Sequence, residues 1–271
     1  MIHPSAYVSQ NAKVAASACI GPWCIVEDFA EIGENVILES RVRVLSHVKI
    51  GAESQIFDGA ILGQIPQDLK FNGEETVLEI GKRCIIREYA TLHRGTASTG
   101  KTLVGDDTLI MAYSHVAHDC QIGKGVVISN GVQLAGHVQI GDYANLGGTA
   151  GVSQNCRIGA YSFVGAALKV DRDVPPYVKA LGNPLRFAGV NLHALRRFPQ
   201  EFPEERIIQI EKIYRELFHS RRPFAELAQE MAKSEDFAIR QFFSAENFPM
   251  IRYFWKNASR APGYHFAFSR S

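Results

Sequence analysis

Two short segments hold residue types that can move a proton between oxygen atoms. One reads His115-Val116-Ala117-His118-Asp119, the other Gly136-His137. An imidazole with an unperturbed pKa near 6.5 can take a proton from a hydroxyl at neutral pH. A neighbouring carboxylate orients the ring and stabilises the imidazolium. A glycine offers an unobstructed backbone N–H to a developing oxyanion. Base, orienter and oxyanion donor together describe acyl transfer to an alcohol.

Whether these residues meet depends on the elements that carry them. From Ile2, aliphatic residues recur every six positions through Val8, Val14, Ile20 and onward to Val170, with breaks at Asp68 and Glu74 and again at Ser98. Four residues after each aliphatic lies a compact side chain, such as Ala6, Ala12, Ala18 and Ala30. Cys24, Cys84, Cys120 and Cys156 occupy this slot, so packing explains them better than redox chemistry or metal binding. Gly33 and Gly51 are 18 residues apart, as are Gly105, Gly123, Gly141 and Gly159. Three six-residue sides per coil make a triangular prism, its coils pairing as parallel strands about 4.8 Å apart. The glycines are expected to mark one corner where the backbone turns.

The 18-residue period stacks the reactive residues. His118, Gly136 and Gln154 fall in one column, and Asp119, His137 and Asn155 in the next. His93 lies 24 residues before Ala117, one coil plus a six-residue insertion, and His115 lies half a side away. Loops at about 64–76 and 94–102 interrupt the repeat and leave the prism on the coils just below this patch. The repeat stops at Pro175-Pro176. Ile207, Ile210, Ile213, Tyr214, Leu217 and Phe218 then form a helical stripe behind Pro203-Glu204-Glu205, and 223–233 reads as a second helix. The expected organisation is a β-helix over 1–186 and an α-helical domain over 187–271.

Composition is that of an ordinary soluble protein, 46% hydrophobic and 21% charged, with net charge +1. This disfavours a nucleic-acid binder that relies on bulk positive charge. No apolar run is long enough for a membrane helix, no secretory signal opens the chain, and five cysteines without CxxC spacing suit a reducing compartment. The expected location is the cytoplasm.

The text Pro66-Gln67-Asp68-Leu69-Lys70, Thr91-Leu92-His93-Arg94-Gly95-Thr96, His115-Val116-Ala117-His118-Asp119-Cys120, Leu134-Ala135-Gly136-His137 and Asp173-Val174-Pro175-Pro176-Tyr177 resembles the UDP-N-acetylglucosamine O-acyltransferases of lipid A biosynthesis. The resemblance continues through Gly182-Asn183-Pro184 and Gly189-Val190-Asn191-Leu192 and covers nearly the whole chain. It implies a left-handed parallel β-helix, a homotrimer with sites between subunits, and no metal or organic cofactor. It implies transfer of an (R)-3-hydroxyacyl chain from acyl carrier protein to the sugar 3-hydroxyl. His118 would be the general base, Asp119 its support and Gly136 the oxyanion donor. Asp68, Lys70, His93, His115, His137 and Gln154 would hold the sugar nucleotide and acyl group, and Asn191 and Arg197 the nucleotide. By the same resemblance the family's chain-length ruler would fall near Ala166, where a methyl in place of glycine would shorten the acyl groove; Phe163 and Leu168 are alternative floors. Arg186, Arg196, Arg197, Arg221 and Arg222 could meet an acidic carrier protein. Two departures touch the nucleotide contacts: Phe198 stands where the family often has a second arginine, and His193 where it has glutamate.

Rival readings differ in chemistry. An N-acyltransferase of the same pathway carries an extra N-terminal domain, whereas here the repeat starts at Ile2. An amino-sugar nucleotide acceptor would give an amide. Three imidazoles on neighbouring coils could bind zinc, as in γ-class carbonic anhydrases, although the His115-x-x-His118 spacing puts two of them on different parts of a turn. A purely structural β-helix would have no use for the clustered histidines.

Overall fold

A computed structural model of the chain describes residues 1–219 and 222–244. Short strands, mostly of two residues, follow one another at six-residue intervals and pair with every third strand along the chain. Three parallel faces result. The first runs from Tyr7–Val8 to Lys169–Val170, the second from Lys13–Val14 to Arg157–Ile158, and the third from Cys19–Ile20 to Phe163–Val164. This is a left-handed parallel β-helix.

Its core is the six-residue repeat turned inward. Val26, Val44, Ile56, Leu62, Ile86, Leu92, Ile110, Val116, Ile128 and Leu146 are fully buried. Each such side chain contributes roughly 1.5–3 kcal/mol through burial. Cys24, Cys84, Cys120 and Cys156 are buried as the slot requires, and burial pushes the Cys84 thiol up to about 11 and the Cys120 thiol up to about 12. They are packing residues held as thiols. Register confirms the two insertions: Ile61 pairs with Thr91, 30 residues on, and Val77 with Lys101, 24 residues on.

The glycines act differently from expectation. The left-handed residue of each corner lies two positions later, at Asn35, Glu53, Asp107, Tyr143 and Tyr161 among others. The glycine itself is required by the next coil. A Cβ on Gly105 would lie 2.6 Å from the carbonyl carbon of Gly123. Gly151 offers the contrast, since among the described residues a Cβ there meets nothing within 4 Å. Gly105→Ala should therefore cost about 2 kcal/mol or more, and Gly151→Ala less than about 1 kcal/mol. Denaturant unfolding of both variants checks this; equal losses would contradict it.

Beyond Val170 the prism continues for one more turn. Val178–Leu181 joins the third face in parallel, and Arg186–Val190 folds back antiparallel against it. The sheet thus runs through Val190, past the expected boundary at 186, because this hairpin covers the end of the third face. Helices α1 (Leu192–Leu195), α2 (Glu204–His219), α3 (Phe224–Met231) and α4 (Phe237–Phe242) follow. Ile207, Ile210, Tyr214 and Leu217 form the buried stripe of α2. Tyr214 Oη donates to the Pro176 carbonyl (2.7 Å) and Tyr177 Oη to Asp236 (2.8 Å), docking the helices on the prism's end. No helix of the described residues is long and apolar enough to cross a membrane. Residues 245–271 of the expected helical domain, and Arg221, lie outside the described residues.

Candidate active site

His118 and Asp119 occupy the edge between the first and second faces, between the strands His115–Val116 and Gln121–Ile122. His118 Nδ1 and Asp119 Oδ2 are 2.7 Å apart, and the carboxylate is fully buried. One coil on, Gly136 lies against the His118 ring: a Cβ there would be 2.5 Å from Cε1 and 2.7 Å from Nε2. Only glycine leaves room for the imidazole. The Gly136 N–H has no acceptor among the described residues.

The second insertion folds over this pair. Thr96 donates to Asp119 twice, from its N–H to Oδ1 (3.0 Å) and from its hydroxyl to Oδ2 (2.8 Å). The Thr99 hydroxyl donates to Oδ1. The Asp119 N–H donates to Thr102 Oγ1 (2.8 Å), supporting a backbone with φ of 62°. Burial by itself would raise the Asp119 pKa; the hydrogen bonds from Thr99, His118 and Thr96 outweigh it and hold the group at about 2.

Further histidines surround the pair. The His118 and His137 rings meet edge to face at 5.2 Å, and those of His93 and His115 at 4.7 Å. His115 Nδ1 shares a hydrogen bond with Thr91 Oγ1 (2.8 Å). Burial, then the neighbouring His115 and His118, hold His93 down at about 4, and burial with His118 lowers His115 as well. Both are neutral at physiological pH. Among the described residues, His93 Nδ1 is buried without a partner. Because the folded His93 refuses a proton that the unfolded chain accepts, stability should fall as pH drops from 6.5 and level off below about 4. In His93→Gln the denaturant midpoint should fall less steeply over this window; a slope unchanged from wild type would contradict the assignment.

A cavity of about 500 Å³ opens beside these groups, lined by Gln67, His115, His118, Gly136, Gly151 and Lys169 among others. A somewhat larger cavity of about 560 Å³, between the second face and the C-terminal helices, holds none of the histidines. His118, Asp119 and His137 place one ligand atom each within 4.8 Å of one another, close enough for a metal. The Asp119 oxygens, however, already accept from Thr96, Thr99 and His118. That donor set is complete for an orienting carboxylate and leaves little for a cation.

The chain aligns with solved structures over almost its entire length. It is 37% identical to the UDP-N-acetylglucosamine acyltransferase of Francisella novicida, covering 98% of this chain and 100% of that one with a TM-score of 0.86. The chain belongs to the UDP-N-acetylglucosamine acyltransferase family. LpxA from Moraxella catarrhalis is 39% identical over 92% of this chain and 94% of its own, with a TM-score of 0.82. The Arabidopsis UDP-N-acetylglucosamine acyltransferase is 30% identical over 93% and 95%, with a TM-score of 0.75. Residues 173–261 match the second domain of UDP-N-acetylglucosamine O-acyltransferase, and 101–136 match the bacterial transferase hexapeptide repeat.

Within this acyltransferase fold, the residues singled out from the sequence divide into two groups. His93, His115, His118, Asp119, Gly136 and His137 come together, with Gln154 exposed on the next coil. Asp68 and Lys70 sit in the first insertion, where Asp68 Oδ1 accepts from the Lys70 N–H (3.0 Å); Gln67 is the residue of that loop that reaches the cavity. Asn191 and Arg197 lie elsewhere. Asn191 is buried, its amide donating to the Tyr161 carbonyl (2.9 Å) at the edge between the second and third faces. Arg197 is exposed in the same region, next to Phe198, which packs on Tyr143 at 4.7 Å. Phe198 therefore stands where it does as part of an aromatic cluster. Ala166, also exposed, is on the remaining edge, between Phe163–Val164 and Lys169–Val170. Of the arginines expected to meet a carrier, Arg196 pairs with Glu204 (3.1 Å) and Arg222 with Glu216 (3.1 Å). Sequence reasoning missed the roles of Thr91, Thr96, Thr99 and Thr102. Thr96 and Thr99 belong to the second insertion and Thr91 and Thr102 to the strands that flank it, and their signal was nearness in sequence to the histidines.

Proposed function

We propose that this chain transfers an (R)-3-hydroxyacyl group from acyl carrier protein to the glucosamine 3-hydroxyl of UDP-N-acetylglucosamine, opening lipid A biosynthesis in the cytoplasm. The observation that carries this reading is the His118 ring, held at Nδ1 by Asp119 at 2.7 Å and lying directly against Gly136. His118 Nε2 removes the proton from the 3-hydroxyl as its oxygen attacks the thioester carbonyl. The Gly136 N–H receives the oxyanion of the tetrahedral intermediate. Collapse expels the carrier's thiolate, which the imidazolium reprotonates. Asp119 stays ionised and stabilises the charged ring. Neutral His93 and His115, with His137, Gln154, Asp68 and Lys70, hold sugar, nucleotide and acyl group.

Asn191, Arg197 and Ala166 sit on edges other than that of His118, so in this reading they serve a site contributed by a neighbouring subunit. That is the arrangement of a trimer of parallel prisms with clefts between them.

The test is mass spectrometry of products from UDP-N-acetylglucosamine and (R)-3-hydroxyacyl carrier proteins of several lengths, with a deacetylase as trap. An acylated nucleotide whose acyl group is released by mild base, as an ester is, supports the reading. Product formed only from a 3-amino acceptor would replace the hydroxyl with an amine. Stoichiometric zinc with no acyl transfer would replace the reaction class.

A further inference from the structure

The second insertion supplies Asp119 with more hydrogen-bond donors than orienting one imidazole requires. A carboxylate offers about four acceptor sites. Oδ1 receives the Thr96 N–H and the Thr99 hydroxyl, and Oδ2 receives the Thr96 hydroxyl and His118 Nδ1. All four are used. His137 Nε2 stands 3.6 Å from Oδ2, beyond hydrogen-bond reach. Two imidazoles thus flank one carboxylate, and the threonines occupy the sites through which the second could bind.

The insertion is itself fastened where it delivers these donors. The Gly100 N–H donates to the Thr96 carbonyl (2.8 Å), and the buried Thr76 hydroxyl to the Gly95 carbonyl (2.6 Å). The Ala97 N–H donates to Glu74 in the first insertion (3.2 Å). From the opposite side Thr102, fully buried, accepts the Asp119 N–H. Side chain and backbone of Asp119 are both gripped.

We propose that Thr96, Thr99 and Thr102 are positioning residues for the general base: Thr96 and Thr99 saturate the Asp119 carboxylate so that its last acceptor site goes to His118 Nδ1 and not to His137, and Thr102 holds the Asp119 backbone. The consequence is a defined tautomer. His118 carries its proton on Nδ1, and Nε2 faces the substrate as a free base. This inference rests on the assignment of His118 as the base.

The test compares Thr96→Val, Thr96→Ser and Thr99→Val with wild type and His118→Ala, measuring kcat and KM per folded protein, with the folded fraction read from thermal melts. Valine keeps the shape and removes the hydroxyl; serine restores it. Thr96→Val and Thr99→Val should lower kcat about 10- to 100-fold, the usual loss when an outer hydrogen-bond partner is removed. KM should change by less than about 3-fold, because neither threonine lines the cavity beside His118. Thr96→Ser should recover most of kcat. A threonine serving only the fold would lower the melting temperature and leave kcat per folded protein unchanged. That result, or a serine variant as slow as the valine one, overturns the proposal. Wild-type turnover by His118→Ala would overturn the base assignment and this inference with it, so the two failures are distinguishable.

Discussion

Asp119→Asn should slow turnover about 10⁴-fold, equivalent to about 5 kcal/mol in the barrier. The carboxylate is fully buried and accepts from four donors, two on each oxygen. An amide replaces one oxygen with a group that donates. If the NH₂ faces His118, Nδ1 must become the acceptor and the proton moves to Nε2, where it blocks the base. If it faces the other way, it confronts the Thr96 N–H and the Thr99 hydroxyl, both donors. Either orientation leaves a buried clash of like polarity. The loss should fall on kcat, with KM within about 3-fold, because Asp119 orients a base and does not touch substrate. Steady-state kinetics decides this. An asparagine variant within about 10-fold of wild type would mean that Asp119 is not the orienter.

Gly136→Ala should be nearly as damaging, at about 10³-fold or more. The loss of one oxyanion donor costs about 10²–10³-fold in related chemistry. Here the added methyl also strikes the base, with its Cβ 2.5 Å from His118 Cε1. The ring must turn away from the position in which Asp119 holds it. The fold has less to lose, since the closest atoms belong to a side chain and not to the next coil's backbone. Kinetics and denaturant unfolding run together separate the two effects. A variant that keeps kcat, or that loses activity only in proportion to its folded fraction, would contradict the role given to Gly136.

Much of this site was legible in the sequence, because parallel stacking converts spacing into distance. Each coil repeats its backbone on the next, so the inward residue of every side must be aliphatic and the core is written at every sixth position. The same arithmetic put Gly136 one coil from His118 and His137 one coil from Asp119, as the ring contacts bear out. The period fails where the chain leaves the prism. Thr96 and Thr99 belong to an insertion with no repeat, and only its folding back over Asp119 reveals them. The glycine column was visible but its cause was not: the strain sits two residues later, and the glycines yield to the backbone of the next coil. The helical tail was readable from the stripe on α2, yet its docking through Tyr214 to Pro176 joins residues 38 apart that no local pattern connects. Asn191 shows a further limit, since a motif names a residue without saying that its amide is committed to the Tyr161 carbonyl.

The most direct test of the central claim is single-turnover acyl transfer by His118→Ala beside wild type. The protein should be in excess over (R)-3-hydroxyacyl carrier protein, with UDP-N-acetylglucosamine saturating and the ester product quantified by mass spectrometry. General-base catalysis by His118 predicts ester formation by wild type and a rate lower by about 10²–10⁴-fold in the alanine variant, with both proteins equally folded. Ester formed by the alanine variant at the wild-type rate would show that the proton leaves the sugar by another route, and the site's assignment would fall.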